Sequence, residues 1–215
     1  ARQWRHEEAA AALGRATSVN PLNPFPWLVL SESALALGRD AQAAATLQRA
    51  LQLESNPAFH RGYAQAAFTA GRNDVAATST RTYLDNVGLA EQGGQYAAFL
   101  GALAEMRRGR RDQGLAMLSE AEAAVRPGTW TEVVLGFLQG KVDANAFLAK
   151  AGDVGERTEA HTYMGLMLDL AGRTPEALTH YKWVAAQGAR NYTEYRLAKG
   201  EIHRLEQASA PPAAP

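Results

Sequence analysis

Five glycines punctuate the chain, Gly38, Gly71, Gly109, Gly140 and Gly172, each closing an apolar helix-periodic run, in steps of 33, 38, 31 and 32 residues. Recurrence at such a period means that one small unit is copied along the chain, because a helix pair that cannot bury its apolar stripe alone buries it against the next copy. The side chains around the glycines recur as well. One copy reads Trp27-x-x-Leu30-Ser31-x-x-Ala34, Gly38, Ala43-x-x-x-Leu47-x-x-Ala50 and a late Pro57. Another reads His161-x-x-Met164-Gly165-x-x-Leu168, Gly172, Ala177-x-x-x-Tyr181-x-x-Val184. Between them lie weaker copies, His60-Tyr63-Ala64-Gly71-Ala76 and Ala102-Gly109-Leu118-Ala121, and one from Trp130 to Gly140 with a short second helix. A half copy, Ala9-x-x-x-Leu13-x-x-Ala16 and Pro21, opens the chain.

Small Ala or Gly is needed where two helices cross closely, and a bulky neighbour fills the adjacent hole. Each turn glycine can take the left-handed conformation that ends a helix, and Asp40, Asn73 and Thr174, two residues later, are expected as N-caps, with Pro175 at the first helical position. The pattern predicts eleven or twelve helices and no strand. A last amphipathic helix over residues 191–207, with Tyr195, Ala198, Ile202 and Leu205 on one face, is expected to cap the stack. Residues 208–215 are Ala/Pro-rich, and a disordered tail is expected there.

These residues resemble the tetratricopeptide repeat family, with its W-x-x-L-G-x-x-Y, turn, A-x-x-x-F and late Pro at a period of about 34 residues. The resemblance implies an all-α, right-handed solenoid of helix pairs forming a single domain over residues 1–207. The first helix of each pair would line a concave groove for a partner peptide or helix: Phe25, Leu28 and Glu32, then Arg61, Gln65 and Phe68, then Tyr96, Phe99, Leu103 and Met106. Trp130 is assigned to core. The paired Lys and Asn of chaperone-tail clamps do not appear in this groove.

The C-terminal half, through Trp130, Val134, Phe137, Gly140-Lys141-Val142, Tyr163, Gly165, Leu168, Gly172, Val184-Ala185, Asn191-Tyr192-x-Glu194-Tyr195 and Ala198-x-x-Glu201, is similar to NlpI-type bacterial lipoproteins. That resemblance implies a lipid-anchored outer-membrane scaffold, usually a homodimer, that brings peptidoglycan hydrolases together with a processing protease. The N-terminal half carries no such match, and the lipid-bearing Cys is absent from this sequence.

Charge is balanced, with 22 Lys+Arg against 22 Asp+Glu, so nothing draws the chain to nucleic acid or an anionic membrane. No cysteine is present, which removes disulfides, thiolate ligands and cysteine nucleophiles and leaves the compartment open between periplasm and cytoplasm. The first residue is Ala1 rather than Met, which leaves room for a processed leader or lipid anchor upstream. The longest apolar run, residues 96–104, falls short of the roughly 20 residues that span a bilayer.

No residue set points to a reaction, a cofactor or a metal. The histidines His6, His60, His161, His180 and His203 show no i, i+3 or i+4 pair, although His161 and His180 fall where they could face each other across one helix pair. Glu120 and Glu122 point about 200 degrees apart on a helix and cannot share a proton-transfer site. Gly136 to Gly140-Lys141 is one residue short of a phosphate loop, and no G-x-S-x-G occurs. The run Arg107-Arg108-x-Arg110-Arg111 is the one dense charge feature: a solvated turn at a helix C-terminus, with an acidic-partner patch as the sharper alternative. Without interleaved aromatics it does not make a nucleic-acid site. The expectation is a non-catalytic adaptor or assembly subunit of the bacterial cell envelope. The alternatives are a positioning domain of a longer enzyme and a structural subunit locked in a large complex.

Overall fold

The computed structural model describes residues 2–91 and 93–209, and within them it contains twelve α-helices and no strand. They are α1 (Arg2–Val19), α2 (Pro24–Ala36), α3 (Asp40–Leu53), α4 (Pro57–Thr69), α5 (Asn73–Val87), α6 (Gly94–Arg107), α7 (Arg111–Glu122), α8 (Trp130–Leu138), α9 (Ala144–Lys150), α10 (Val154–Leu170), α11 (Thr174–Gln187) and α12 (Thr193–Ser209). They fall into two compact units, Ala1–Val125 and Arg126–Pro215. In the first, each of α1 to α7 packs on its sequence neighbours, and α4 also packs on α6. In the second, α8 packs on α9 and α10, and α12 packs on both α10 and α11.

The five punctuating glycines are the five turns within helix pairs, and all five have positive φ, between 71° and 77°. Each closes its helix in the same way. The glycine N–H donates to the carbonyl three residues back, and the next residue's N–H reaches back five: Gly38 to Leu35 (3.1 Å) with Arg39 to Ala34 (2.8 Å), Gly109 to Met106 (3.0 Å) with Arg110 to Glu105 (2.9 Å), Gly172 to Asp169 (2.9 Å) with Arg173 to Leu168 (2.9 Å). This double bond pattern satisfies two carbonyls that the helix end would otherwise leave open.

The expected N-caps need correction. Asp40, Asn73 and Thr174 are the first residues of α3, α5 and α11, and the capping positions are Arg39, Arg72 and Arg173, none with a side-chain cap bond. The turn is one residue tighter than the sequence suggests because the arginine serves both helices. Its N–H closes the first, and its carbonyl accepts the first bond of the second, as in Ala43 N–H to Arg39 O at 2.9 Å.

Packing follows the recurring pattern. Leu30, Ser31, Ala34, Ala43, Leu47 and Ala50 of the first full pair are all buried, with Trp27 half-buried above them. In the last pair, a Cβ on Gly165 would run into the ring of Tyr181, itself fully buried. Glycine stands at that position because the aromatic ring of α11 occupies the space a side chain would need. In α6 the same holds for Gly101, whose missing side chain is replaced by Thr80 of α5 and Met117 of α7.

The last helix packs by a face shifted from the expected one. Leu197, Ala198 and Leu205 are buried, Tyr195 and Ile202 are half-buried, and two carboxylates, Glu194 and Glu201, lie inside with them. Of the tail expected over residues 208–215, Ala208 and Ser209 instead form the end of α12, and residues 210–215 lie outside the described residues. No described helix is long and apolar enough to cross a membrane.

Candidate protein-binding surface

Residues named for an inner wall divide sharply by burial. Phe68 and Phe99 are fully buried and Leu103 is 1% exposed, with Gln65 and Met106 also buried. They fill the first unit because successive first helices touch: the guanidinium of Arg107 on α6 lies 4.2 Å over the ring of Phe68 on α4. Tyr96 is half-buried, its ring tilted against Phe99 at 5.5 Å. Arg61 is exposed and its guanidinium lies against Gly93 in the loop before α6. Leu28 turns inward and packs on the cluster of Ala34, Ala43, Ala44, Leu47, Tyr63 and Ala66.

On α2 the arrangement differs. Phe25 is 59% exposed and Val29 42%, and with the exposed Glu32 they share one face at i, i+4 and i+7. Val19 at the end of α1 and Leu22 in the following turn are 87% and 71% exposed. Thus four of the five exposed large hydrophobics among the described residues lie within eleven positions, the fifth being Val154. The turn that presents them is fixed locally: Asn23 caps α2 by accepting from Phe25 N–H (3.1 Å), and Trp27 Nε1 donates to Pro21 O (3.1 Å). Val19, Leu22 and Val29 were not legible in sequence, because the repeat pattern names positions that pack and is silent on an apolar residue between them.

The arginine run is largely engaged within its own helix end. Both carboxylate oxygens of Glu105 accept from Nη1 of Arg108 (2.9 and 3.0 Å), and Glu105 lies 3.9 Å from Arg110. Arg107 covers Phe68, leaving Arg111 exposed and without an ion pair among the described residues.

The second unit holds a polar and aromatic interior. Trp130 stacks on Phe147 (5.3 Å), which stacks in turn on Phe137 (4.3 Å), and Trp130 Nε1 donates to buried Glu159 (2.9 Å). Tyr163 OH donates to Glu194 (3.3 Å), whose burial raises its pKa. Arg204 donates to fully buried Glu201 through Nε (2.9 Å) and a terminal nitrogen (2.7 Å), and reaches Asp169 on α10. His161 and His180 do meet, their Nδ1 atoms 2.8 Å apart, and His161 stacks on Trp183 at 4.0 Å.

Burial, with the neighbouring His180 second, lowers the His161 pKa to about 4, and burial lowers that of His180. The unfolded chain therefore binds protons that the folded one refuses, so stability falls as pH drops from about 6.5 toward 4. The full linkage of about 3 kcal/mol is reduced to roughly 1 to 2 by the half exposure of the rings. Glu194 acts oppositely, its raised pKa favouring the fold as pH falls. Comparing urea midpoints at pH 7 and pH 5 in the natural chain and in His161→Asn cancels that term. The variant is expected to lose about 1 kcal/mol less on acidification, and equal losses would remove the histidine pair from the pH response.

No family model matches this chain, and no curated protein matches it. Among solved structures, the crystal structure of MamA is similar at a TM-score of 0.51 and 13% identity, over 94% of this chain and 91% of that one. A chain in the structure of Naa15/Naa10 bound to HypK-THB is matched at a TM-score of 0.48 and 18% identity, over 95% of this chain and 32% of that one, too loosely to carry an argument. The likeness to MamA, a tetratricopeptide-type all-helical protein, agrees with the repeated glycine turns and gives the fold: an all-α solenoid type built from tetratricopeptide-like helix pairs.

Proposed function

We propose that the chain is a non-catalytic interaction adaptor that holds a partner peptide or helix on the open face of α2, with both units serving as one interaction domain. The observation that carries this is the concentration of exposed apolar surface at Val19, Leu22, Phe25 and Val29 in a chain whose other large apolar side chains are mostly covered. A cluster of this kind on a repeat scaffold marks a protein contact, since leaving it in water is costly. Glu32 at its edge gives the face a polar rim that sets register. The resemblance of the C-terminal half to NlpI-type lipoproteins supports a setting in the bacterial cell envelope and an assembly role there.

The test is capture from the native organism, followed by binding of the purified partner to the natural chain and to the double variant Phe25→Asp, Val29→Asp. Both side chains are exposed, so the fold is expected to hold while affinity falls roughly a hundredfold or more, each anchor being worth about 1.5 to 3 kcal/mol. Unchanged affinity in a folded double variant would place the contact elsewhere.

A further inference from the structure

α10 and α11 bring two imidazoles nose to nose. The Nδ1 atoms of His161 and His180 are 2.8 Å apart, with ring planes inclined at 43°. Two such nitrogens at that distance share one proton, donated by one ring and accepted by the lone pair of the other. Both ring nitrogens therefore converge on a single point between the helices, and both rings are half-buried, so solvent still reaches them.

We propose that His161 and His180 form a two-imidazole chelate for a divalent transition-metal ion of the zinc and nickel class, bound through both Nδ1 atoms, with water completing the coordination. The ion takes the place of the shared proton, which moves to Nε2 of the ring that carried it, so both rings ligate as neutral Nε2–H tautomers. Bonds of about 2.0 to 2.1 Å at a tetrahedral angle set the two nitrogens about 3.3 Å apart, so each ring moves by a few tenths of an ångström. Imidazole selects this class over calcium and magnesium, which take oxygen ligands. Only neutral imidazole ligates, and an imidazole of ordinary pKa, about 6.5, is already mostly neutral at pH 7.5.

Glu176, one turn before His180 on α11, is held by Arg173 (2.6 Å to its Nε), and no group of three His, Cys, Asp or Glu able to hold a metal occurs among the described residues. With two protein ligands the site binds far more weakly than a four-ligand structural site. Trp183, stacked on His161, supplies a reporter beside the ion.

The full chain at pH 7.5 is titrated with NiCl2, followed by tryptophan fluorescence, and with ZnCl2, followed by calorimetry. One saturable site per chain with quenched fluorescence is expected. His161→Asn and His180→Asn should each weaken binding at least tenfold, and His60→Asn and His203→Asn should leave it unchanged. Trp183→Phe, which keeps both imidazoles, should bind zinc as before and lose most of the nickel quench. Circular dichroism reports whether each variant is folded. Absence of saturable zinc binding below millimolar concentration in the natural chain, or full binding in both folded histidine variants, overturns the proposal.

Discussion

Phe99→Ala is expected to destabilise the first unit by about 3 to 5 kcal/mol, the cost of deleting a fully enclosed aromatic ring and leaving a cavity. The ring has no exposed surface, and α6 around it is buried on nearly every side, from Ala97 to Ala104. Helices α5 and α7 both press on α6, so little room exists for the neighbours to collapse into the void. Phe25→Ala, by contrast, removes a ring that is 59% exposed and should cost less than about 1 kcal/mol. Urea unfolding of the two variants separates these positions. A small loss for Phe99→Ala would mean that this helix is not the centre of its unit, and that the ring is available to a partner after all.

The second large effect concerns a charge with no surface. Glu201 is fully buried on α12, and Arg204 bonds it twice while also reaching Asp169 on α10. Arg204→Met removes a principal counter-charge of that carboxylate and the link between two helices. Breaking a buried pair costs about 3 to 5 kcal/mol, and the partial exposure of Arg204 brings the expected loss to about 2 to 4. In a double-mutant cycle, Arg204→Met combined with Glu201→Leu should show a coupling of more than about 1 kcal/mol, because an uncompensated charge is then no longer left inside. Additive losses would show that the arginine acts through packing alone.

Much of the fold was legible because its signals are local and repeated. A left-handed glycine after an apolar run is a helix end wherever it occurs, and five such glycines in near-constant steps define the pairs without long-range information. Gly165 and Tyr181 are a small and a large residue that interlock across one helix pair, as the repeat pattern implied. What sequence could not give was the burial of particular side chains on the first helices. Phe68 and Phe99 fall at positions an isolated helix pair would leave open, and the packing of neighbouring helices encloses them, with Arg107 of α6 lying over Phe68 of α4 and α5 and α7 pressing on α6 around Phe99. Glu194 and Glu201 were equally hidden: a carboxylate on an amphipathic helix reads as solvent-facing until its partners, buried Tyr163 and half-buried Arg204, are seen. Spacing within one helix is also blind to a pair such as His161 and His180, which stand 19 positions apart and meet only because the Gly172 turn folds α11 back along α10.

The repeat architecture itself is open to a direct check by backbone NMR. Cα and Cβ secondary shifts over residues 2–209 should show twelve helical segments, with Gly38, Gly71, Gly109, Gly140 and Gly172 each interrupting the helical run and giving couplings of a positive φ. A stretch of extended shifts, or a helix that runs unbroken through any of these five glycines, would contradict it.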